Sequence, residues 1–222
     1  MRQQIRIGGN YLLNQMIEYF QTDSSEFIGY LIQHIKLSLI ALIIAICIGI
    51  PLGYISYRNK KLGEVLTTSS QLLRIIPSLA VLFILIPIIG VGELPALIAL
   101  TFLAIPPIIM NTILGFNEIP AITLEVARGI GMNQKQLRNR IEFPLAAPYI
   151  LNGIKLALVE IIASATLATY IGAGGLGTLI FTGLGLYRMD LLIIGGGTVA
   201  LLSLLSMALM DLLIEKVGEN HG

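Results

Sequence analysis

The chain has 222 residues, of which 55% are hydrophobic and only 12% charged, with a formal net charge of +1 and a mean hydropathy of +0.85. Soluble domains carry about a quarter charged residues, and half that density cannot clothe a water-facing surface of this size. That argues against a soluble globular enzyme or a disordered chain, and the small net charge offers no field to gather nucleic acid. A single cysteine, Cys47, excludes a disulfide framework within the chain and any multi-cysteine metal site. With only His34 and His221 as histidines, no metal site is expected. An all-α integral membrane protein of one domain remains.

Residues 1–30 mix polar and apolar positions without the basic start and compact apolar core of a cleavable signal peptide. Residues 5–27 have partial helical amphipathicity, suited to lying on the outer membrane surface. A crossing takes about 20 apolar residues, and about five stretches are read as spans. The first covers residues 35–54 and holds Gly49 and Gly53 at GxxxG spacing, a close-packing signal or else a hinge or pore-lining position. The second, residues 65–89, is polar at its start, apolar from Ile75 and interrupted by Arg74. The third covers residues 94–114, and the fourth, residues 146–171, is interrupted by Lys155 and Glu160. Gly172, Gly174 and Gly177 formally match GxGxxG, but they follow an apolar helix rather than a strand, so no dinucleotide site is read there. A flexible turn leading to residues 178–186 is expected instead, either a short re-entrant segment or a plain loop. The fifth span covers residues 191–213, with a small-residue patch at Gly195, Gly196 and Gly197 and with Asp211 near its inner, interfacial end. Pro51, Pro77, Pro87, Pro106 and Pro107 lie in or at the ends of spans, where each can kink its helix. Five kinked helices make a thin pore wall, so a dimer is expected to enclose any pathway.

Basic residues orient the chain. Arg58, Lys60 and Lys61 follow the first span, and Arg128, Lys135, Arg138 and Arg140 follow the third. The opposite loops hold only Arg188, which places the basic loops in the cytoplasm, the N-terminus outside and the C-terminus inside. Arg2 and Arg6 on the outer tail count against this and are outnumbered. Tyr54, Tyr57 and Tyr149 on one side, and Tyr30, Tyr170 and Tyr187 on the other, suit interfacial belts.

Residues 117–148 form the longest polar stretch between spans. Residues 125–131 predict a short helix ending in glycines. Residues 132–140 predict a second, with Asn133 as a cap and Lys135, Arg138 and Arg140 on a basic face. Two short helices across a glycine turn make a knob that can dock in a groove on a soluble partner; the alternative is a solvated loop that only fixes topology. Glu125, Ala127, Gly131, Ile141 and Pro144 fall at the spacing of a known pattern: E-A-A, three residues, G, nine residues, I, one residue, L-P. The segment thereby resembles the EAA loop of binding-protein-dependent ABC importer permeases. Val126 and Phe143 depart from the pattern, both with apolar side chains. The spans, with the loop between the third and fourth, resemble the methionine-importer-type permease core over roughly residues 31–215.

The resemblance implies a coupling helix seated in a cleft of an ATP-hydrolysing subunit, with Gly131 allowing the turn. It implies two ABC ATPase subunits, a second permease subunit (the same or homologous) and an extracytoplasmic substrate-binding protein as partners, besides the lipid bilayer. ATP and magnesium would be handled by the ATPases and no cofactor by this chain, which contains no GxxxxGK[ST] phosphate cradle. A narrower resemblance rests on QLLRIIPSLA at residues 71–80, the Pro106-Pro107-Ile108 step and YIGAGGLG at residues 170–177. These look like permeases of compatible-solute importers for glycine betaine, carnitine or choline. Another small solute such as an amino acid, or a passive channel from a different class, are the alternatives.

Charges at membrane depth are functional candidates. Arg74 lies about 14 Å into the second span at 1.5 Å per residue, and Glu160 lies near the middle of the fourth. Pairing of Arg74 with Glu160, within the subunit or across the dimer, either fixes helix register or acts as a gate. Ser78, Asn111, Ser164, Thr166 and Thr169 are small or polar within apolar spans, so they either line a pathway or bond helix to helix. With no Trp in the chain, an aromatic cage for a quaternary ammonium is expected on the binding protein rather than here. The expected organisation is an N-terminal extracytoplasmic segment (1–30), a permease domain (31–215) containing the coupling loop, and a cytoplasmic tail (216–222). It would sit as a multi-pass protein in the cytoplasmic membrane of a prokaryote.

Overall fold

The computed structural model describes the backbone of residues 2–219 and the side chains of residues 11–219. The side chains of Arg2 and Arg6, and residues 220–222 of the expected tail with His221, lie outside the described residues. Ten α-helices account for nearly all of these residues, and no strand occurs among them. In chain order they are α1 (Arg2–Thr22), α2 (Ser24–Arg58), α3 (Lys60–Leu73), α4 (Ser78–Ile89), α5 (Glu93–Asn117), α6 (Ala121–Gly129), α7 (Gln134–Leu137), α8 (Phe143–Ala165), α9 (Gly177–Leu186) and α10 (Met189–Glu219).

Four helical runs are long and apolar enough to cross a membrane: Ser24–Arg58, Glu93–Asn117, Gln134–Ala165 and Met189–Glu219. The expected second span, residues 65–89, is not one straight helix. It is α3 followed by α4, bent by 95° across residues 74–77, and it makes a fifth span only if the pair is counted as one. The cause is local. Pro77 has no N–H to continue the helix, and a residue before proline is steered out of the helical region. The expected fourth span also ends differently, because α8 stops at Ala165 and a 3₁₀ turn covers Leu167–Ile171.

The contacts divide the chain into two compact units. One comprises the chain up to Ile40 with Ser78–Leu100 and Ile162–Leu204; the other comprises Ala41–Pro77, Thr101–Ile161 and the chain from Leu205 on.

In the first unit Tyr19, Leu176, Leu179, Leu191 and Ile194 form a buried core, with Met16, Phe27, Tyr30 and Leu31 packed on it. The end of α1 is therefore built into this core, while Tyr11, Leu13, Ile17 and Phe20 remain exposed. The glycine-rich turn before α9 is fastened rather than loose. Gly172, Gly174 and Gly175 all have positive φ, the Gly175 N–H donates to Gln33 Oε1 at 3.0 Å, and Thr169 Oγ1 donates to the Gly174 carbonyl at 2.8 Å. The Gly92 N–H donates to the Ile171 carbonyl, and buried His34 holds the Ile162 carbonyl through Nε2 at 3.1 Å. Residues 178–186 form a short apolar helix, α9, rather than a plain loop.

In the second unit, glycines set the distances between helices. A Cβ on Gly49 would lie 2.8 Å from Ile108 Cγ2, and one on Gly53 would lie 2.6 Å from Thr112 Cβ, so the GxxxG pair of α2 lies against α5. Gly153 of α8 meets α5 as closely, with Asn111 Cβ at 2.7 Å and the Pro107 carbonyl oxygen at 2.9 Å. Phe116, Ile119, Ala146 and Ile150 form the buried cluster at one end of this unit, with Ile50, Tyr54, Tyr57 and Phe143 packed on it.

Candidate functional site

Two features of the second unit carry chemistry: the segment between α5 and α8, and a cavity beside the α3–α4 break.

The segment between α5 and α8 is specified turn by turn. Pro120 precedes α6, which ends at Gly129. Gly131 follows with φ +85°, its N–H donating to the Arg128 carbonyl at 3.0 Å, while the Met132 N–H reaches back to Ala127 at 3.1 Å. That pair of bonds is a Schellman C-cap, which asks for a left-handed residue at this position. Nothing lies within 4 Å of a Cβ built on Gly131, so the glycine is required by its backbone angle and not by lack of room. Asn133 then starts α7 with a capping box: its Oδ1 accepts from the Gln136 N–H, and its own N–H donates to Gln136 Oε1, both at 2.9 Å.

The second expected short helix, residues 132–140, is corrected by the fold. α7 has four residues and passes through a π-helical turn, Arg138–Glu142, directly into α8. A π turn widens the helix by one residue. It thereby makes room where Pro144 would otherwise press on a carbonyl one turn back.

Ala127 is buried, Ile141 half-buried, and Glu125 and Gly131 exposed. The side of α6 and its C-cap turned away from the core presents Ile122, Val126 and Ile130, which are 64%, 56% and 71% exposed. Their i, i+4, i+8 spacing makes one apolar stripe. Val126, one of the two departures from the expected pattern, lies in that stripe. Phe143, the other, lies in an aromatic cluster, with ring centroids 5.1 Å from Phe116 and 5.4 Å from Tyr54.

Arg58 and Glu142 hold this segment to the end of α2. Glu142 is 1% exposed, and Arg58 Nη1 stands 3.6 Å from its Oε1, an ion pair without a hydrogen bond. Arg58 Nη2 also donates to Gln134 Oε1 at 3.3 Å, and its guanidinium lies 5.8 Å from the Tyr54 ring centroid. In the sequence Arg58 counts only as a topology charge, and Glu142 carries no local signal. The isoleucine–valine–isoleucine stripe is not among the sequence expectations, although its i, i+4, i+8 spacing is the signal that marks it.

The cavity has a volume of about 320 Å³ and is lined by Arg74, Phe102, Pro106, Lys155, Glu160 and Met207 among others. Arg74 and Glu160, far apart in sequence, thus face one space, both exposed on its wall. Lys155 Nζ bonds Asp211 Oδ1 at 2.7 Å, so Asp211, expected to be merely interfacial, neutralises a cation of α8. Among the polar residues weighed as pathway lining, Asn111 donates to the Pro107 carbonyl at 2.9 Å and accepts from Asn152 Nδ2 at 3.1 Å. Thr166 Oγ1 donates to the Ala163 carbonyl at 2.7 Å, and Thr169 is spent on the glycine turn. Ser164 is buried, and Ser78 is half-buried at the start of α4.

Comparison with known proteins decides the family. Residues 45–219 match the binding-protein-dependent transport system inner membrane component. The chain belongs to that family. The permease is 38% identical to the choline transport system permease protein OpuBB of Bacillus subtilis, over 86% of this chain and 88% of that one. It is 40% identical, over the same shares, to the carnitine transport permease protein OpuCB of Listeria monocytogenes. Among solved structures it resembles the MetNI methionine ABC transporter in inward-facing form, with a TM-score of 0.77 at 22% identity, covering 86% of this chain and 95% of that one. That likeness establishes the fold of the permease core. Membership gives the permease its partners: a substrate-binding protein, a second permease subunit and ATPase subunits.

Proposed function

We propose that this permease is the membrane subunit of an ATP-driven importer for quaternary ammonium osmoprotectants such as glycine betaine, carnitine and choline. The observation that carries the substrate class is the similarity, at 38–40% identity over most of the chain, to three permeases named for choline, carnitine and glycine betaine transport. The α6–α7 segment is the ATPase dock. Its stripe of Ile122, Val126 and Ile130 offers an apolar ridge to a cleft, Glu125 and Arg128 flank the ridge with charge, and Gly131 turns the chain away. Arg58 and Glu142 tie the dock to α2, so a push on α6 is transmitted to a transmembrane helix rather than absorbed in a loop.

ATP and magnesium are bound and turned over by the partner ATPases, and this chain carries out no catalysis. The dock faces the cytoplasm, the N-terminus lies outside and the C-terminus inside, in keeping with the seven basic residues of the two basic loops. The protein resides in the cytoplasmic membrane of a prokaryote.

The test is to purify the native complex, identify its subunits, and measure which solute-loaded binding protein stimulates ATP hydrolysis. Stimulation by the protein loaded with glycine betaine, carnitine or choline is expected. Stimulation only by an amino-acid-loaded protein would transfer the chain to the amino-acid importers, and uptake without any ATPase subunit would make it a passive channel.

A further inference from the structure

The cavity beside the α3–α4 break carries more information than its lining of apolar side chains. Charge is scarce in this chain, yet Arg74, Lys155 and Glu160 all reach this one space of about 320 Å³. Lys155 is neutralised by Asp211 at 2.7 Å. Arg74 differs. Among the described residues, no ion pair or side-chain hydrogen bond holds its guanidinium, and its backbone N–H turns back to the Ser70 and Leu72 carbonyls. Arg74 is the C-cap residue of α3, where the 95° bend across residues 74–77 begins. A guanidinium within an apolar span, exposed on the wall of this cavity and without a partner in the chain, is costly unless an anionic group meets it.

We infer that this cavity is a transit site for a carboxylated quaternary ammonium solute, with Arg74 receiving the carboxylate and Glu160 facing the ammonium end. This inference rests on the osmoprotectant reading above and narrows it. Three features of the cavity select the class. Arg74, Glu160, Lys155 and its partner Asp211 sum to zero formal charge, which suits a zwitterion better than a net cation. The remaining wall is formed by Phe102, Leu103, Leu156, Val159 and Met207, with Pro106 and Pro107 contributing no N–H donors. A quaternary ammonium has no N–H to satisfy, so a wall that is apolar apart from Glu160 accepts it without leaving a donor unpaired. The site is shallow enough to release its cargo: Arg74 and Glu160 are both exposed, and no aromatic cage encloses the position.

The test compares two solutes that share a trimethylammonium group and differ in the carboxylate: glycine betaine and choline. Both are measured in the assembled permease–ATPase complex in nanodiscs without binding protein, by saturation-transfer NMR on their methyl signals, and in proteoliposomes with binding protein, by uptake. A lost charge-assisted hydrogen bond is worth about 1.5–3 kcal/mol, so Arg74→Gln should weaken glycine betaine binding about tenfold or more and leave choline within about twofold. Arg74→Lys should retain most of the glycine betaine signal, and Glu160→Gln should weaken both solutes.

Equal loss of both solutes in Arg74→Gln, with a lowered melting temperature, would identify Arg74 as a structural ion-pair partner and overturn the inference. Unchanged binding of both, or no binding of either to the wild-type complex, would also overturn it. These failures are separable from failure of the osmoprotectant reading, which would appear as wild-type uptake of neither solute when the binding protein is present.

Discussion

The α6–α7 segment proposed as a dock and the cavity proposed as a transit site belong to the same unit of the molecule but are encoded in opposite ways. The dock is written almost entirely in consecutive residues. Gly131 sets the Schellman turn, Asn133 and Gln136 cap each other, and Ile122, Val126 and Ile130 lie four apart along α6 and its C-cap. The cavity is assembled from α3, the break after it, α5, α8 and α10, with no two of its charged residues closer than five positions in sequence. Rigid local geometry suits the proposed role of fitting a separately folded partner. A space formed between helices suits a part that must open and close, because small helix shifts change its walls without breaking any turn.

The largest expected effect falls on the dock. Gly131→Trp should leave the chain in the membrane but abolish uptake and co-purification of the ATPase, because it adds both left-handed strain and bulk at the exposed turn. Gly131→Ala adds only the strain, roughly 1–2 kcal/mol, and should retain partial ATPase association. Normal co-purification and normal uptake in the tryptophan variant would break the assignment of this segment as a dock.

Next is the fastening of the dock to α2. Arg58→Ala strands the buried Glu142 carboxylate and should cost about 2–3 kcal/mol, somewhat below the roughly 3–5 kcal/mol of a fully buried broken pair, because Arg58 is itself partly in water. A fall in the melting temperature of the purified chain measures it, and Glu142→Gln in the same background should restore part of the loss. No recovery in the double variant would show that the pair does not act as a unit.

For the unit's helix packing, Gly153→Leu should destabilise by about 1–3 kcal/mol through overpacking against Asn111 and the Pro107 carbonyl, again seen in thermal unfolding. An unchanged melting temperature would mean that α5 and α8 can separate freely. The smallest effect is expected at Lys155 and Asp211. A double-mutant cycle with Lys155→Met and Asp211→Asn should give a coupling of about 0.5–1 kcal/mol, since the Asp211 side chain is 53% exposed. A coupling near zero would leave Lys155 as a second cation available to the cavity and would change its charge balance.

Much of the dock is legible in the amino-acid sequence alone. The positions of Glu125, Ala127, Gly131, Ile141 and Pro144, the glycine stop and the Asn133 cap all lie within the reach of neighbouring residues, where backbone rules operate. The exception within the dock is the π turn. Residues 132–140 look like an independent helix, but Pro144 is accommodated by widening the chain, so α7 runs on into α8. The Arg58–Glu142 pair was not legible, because nothing near either residue indicates that two segments more than 80 positions apart should meet. The cavity was legible only in outline. Arg74, Lys155 and Glu160 stand out as charges in apolar stretches, but which of them share a space, and that Asp211 takes Lys155, depends on how the helices pack.

The sequence by itself determined that this chain is a membrane permease of the binding-protein-dependent kind, with about five apolar spans and a capped segment between the third and fourth. Hydropathy, proline and glycine rules, and the EAA spacing act over one or two helical turns, so they need no tertiary context. Only the tertiary structure decided that the second span breaks by 95° at residues 74–77 and that Gly49, Gly53 and Gly153 bring α2 and α8 against α5. It also decided that, among the described residues, the Arg74 guanidinium is left without a partner while Lys155 is not. The reason is physical. Which charges are compensated depends on distances between helices, and those distances are set by side chains contributed from distant parts of the chain.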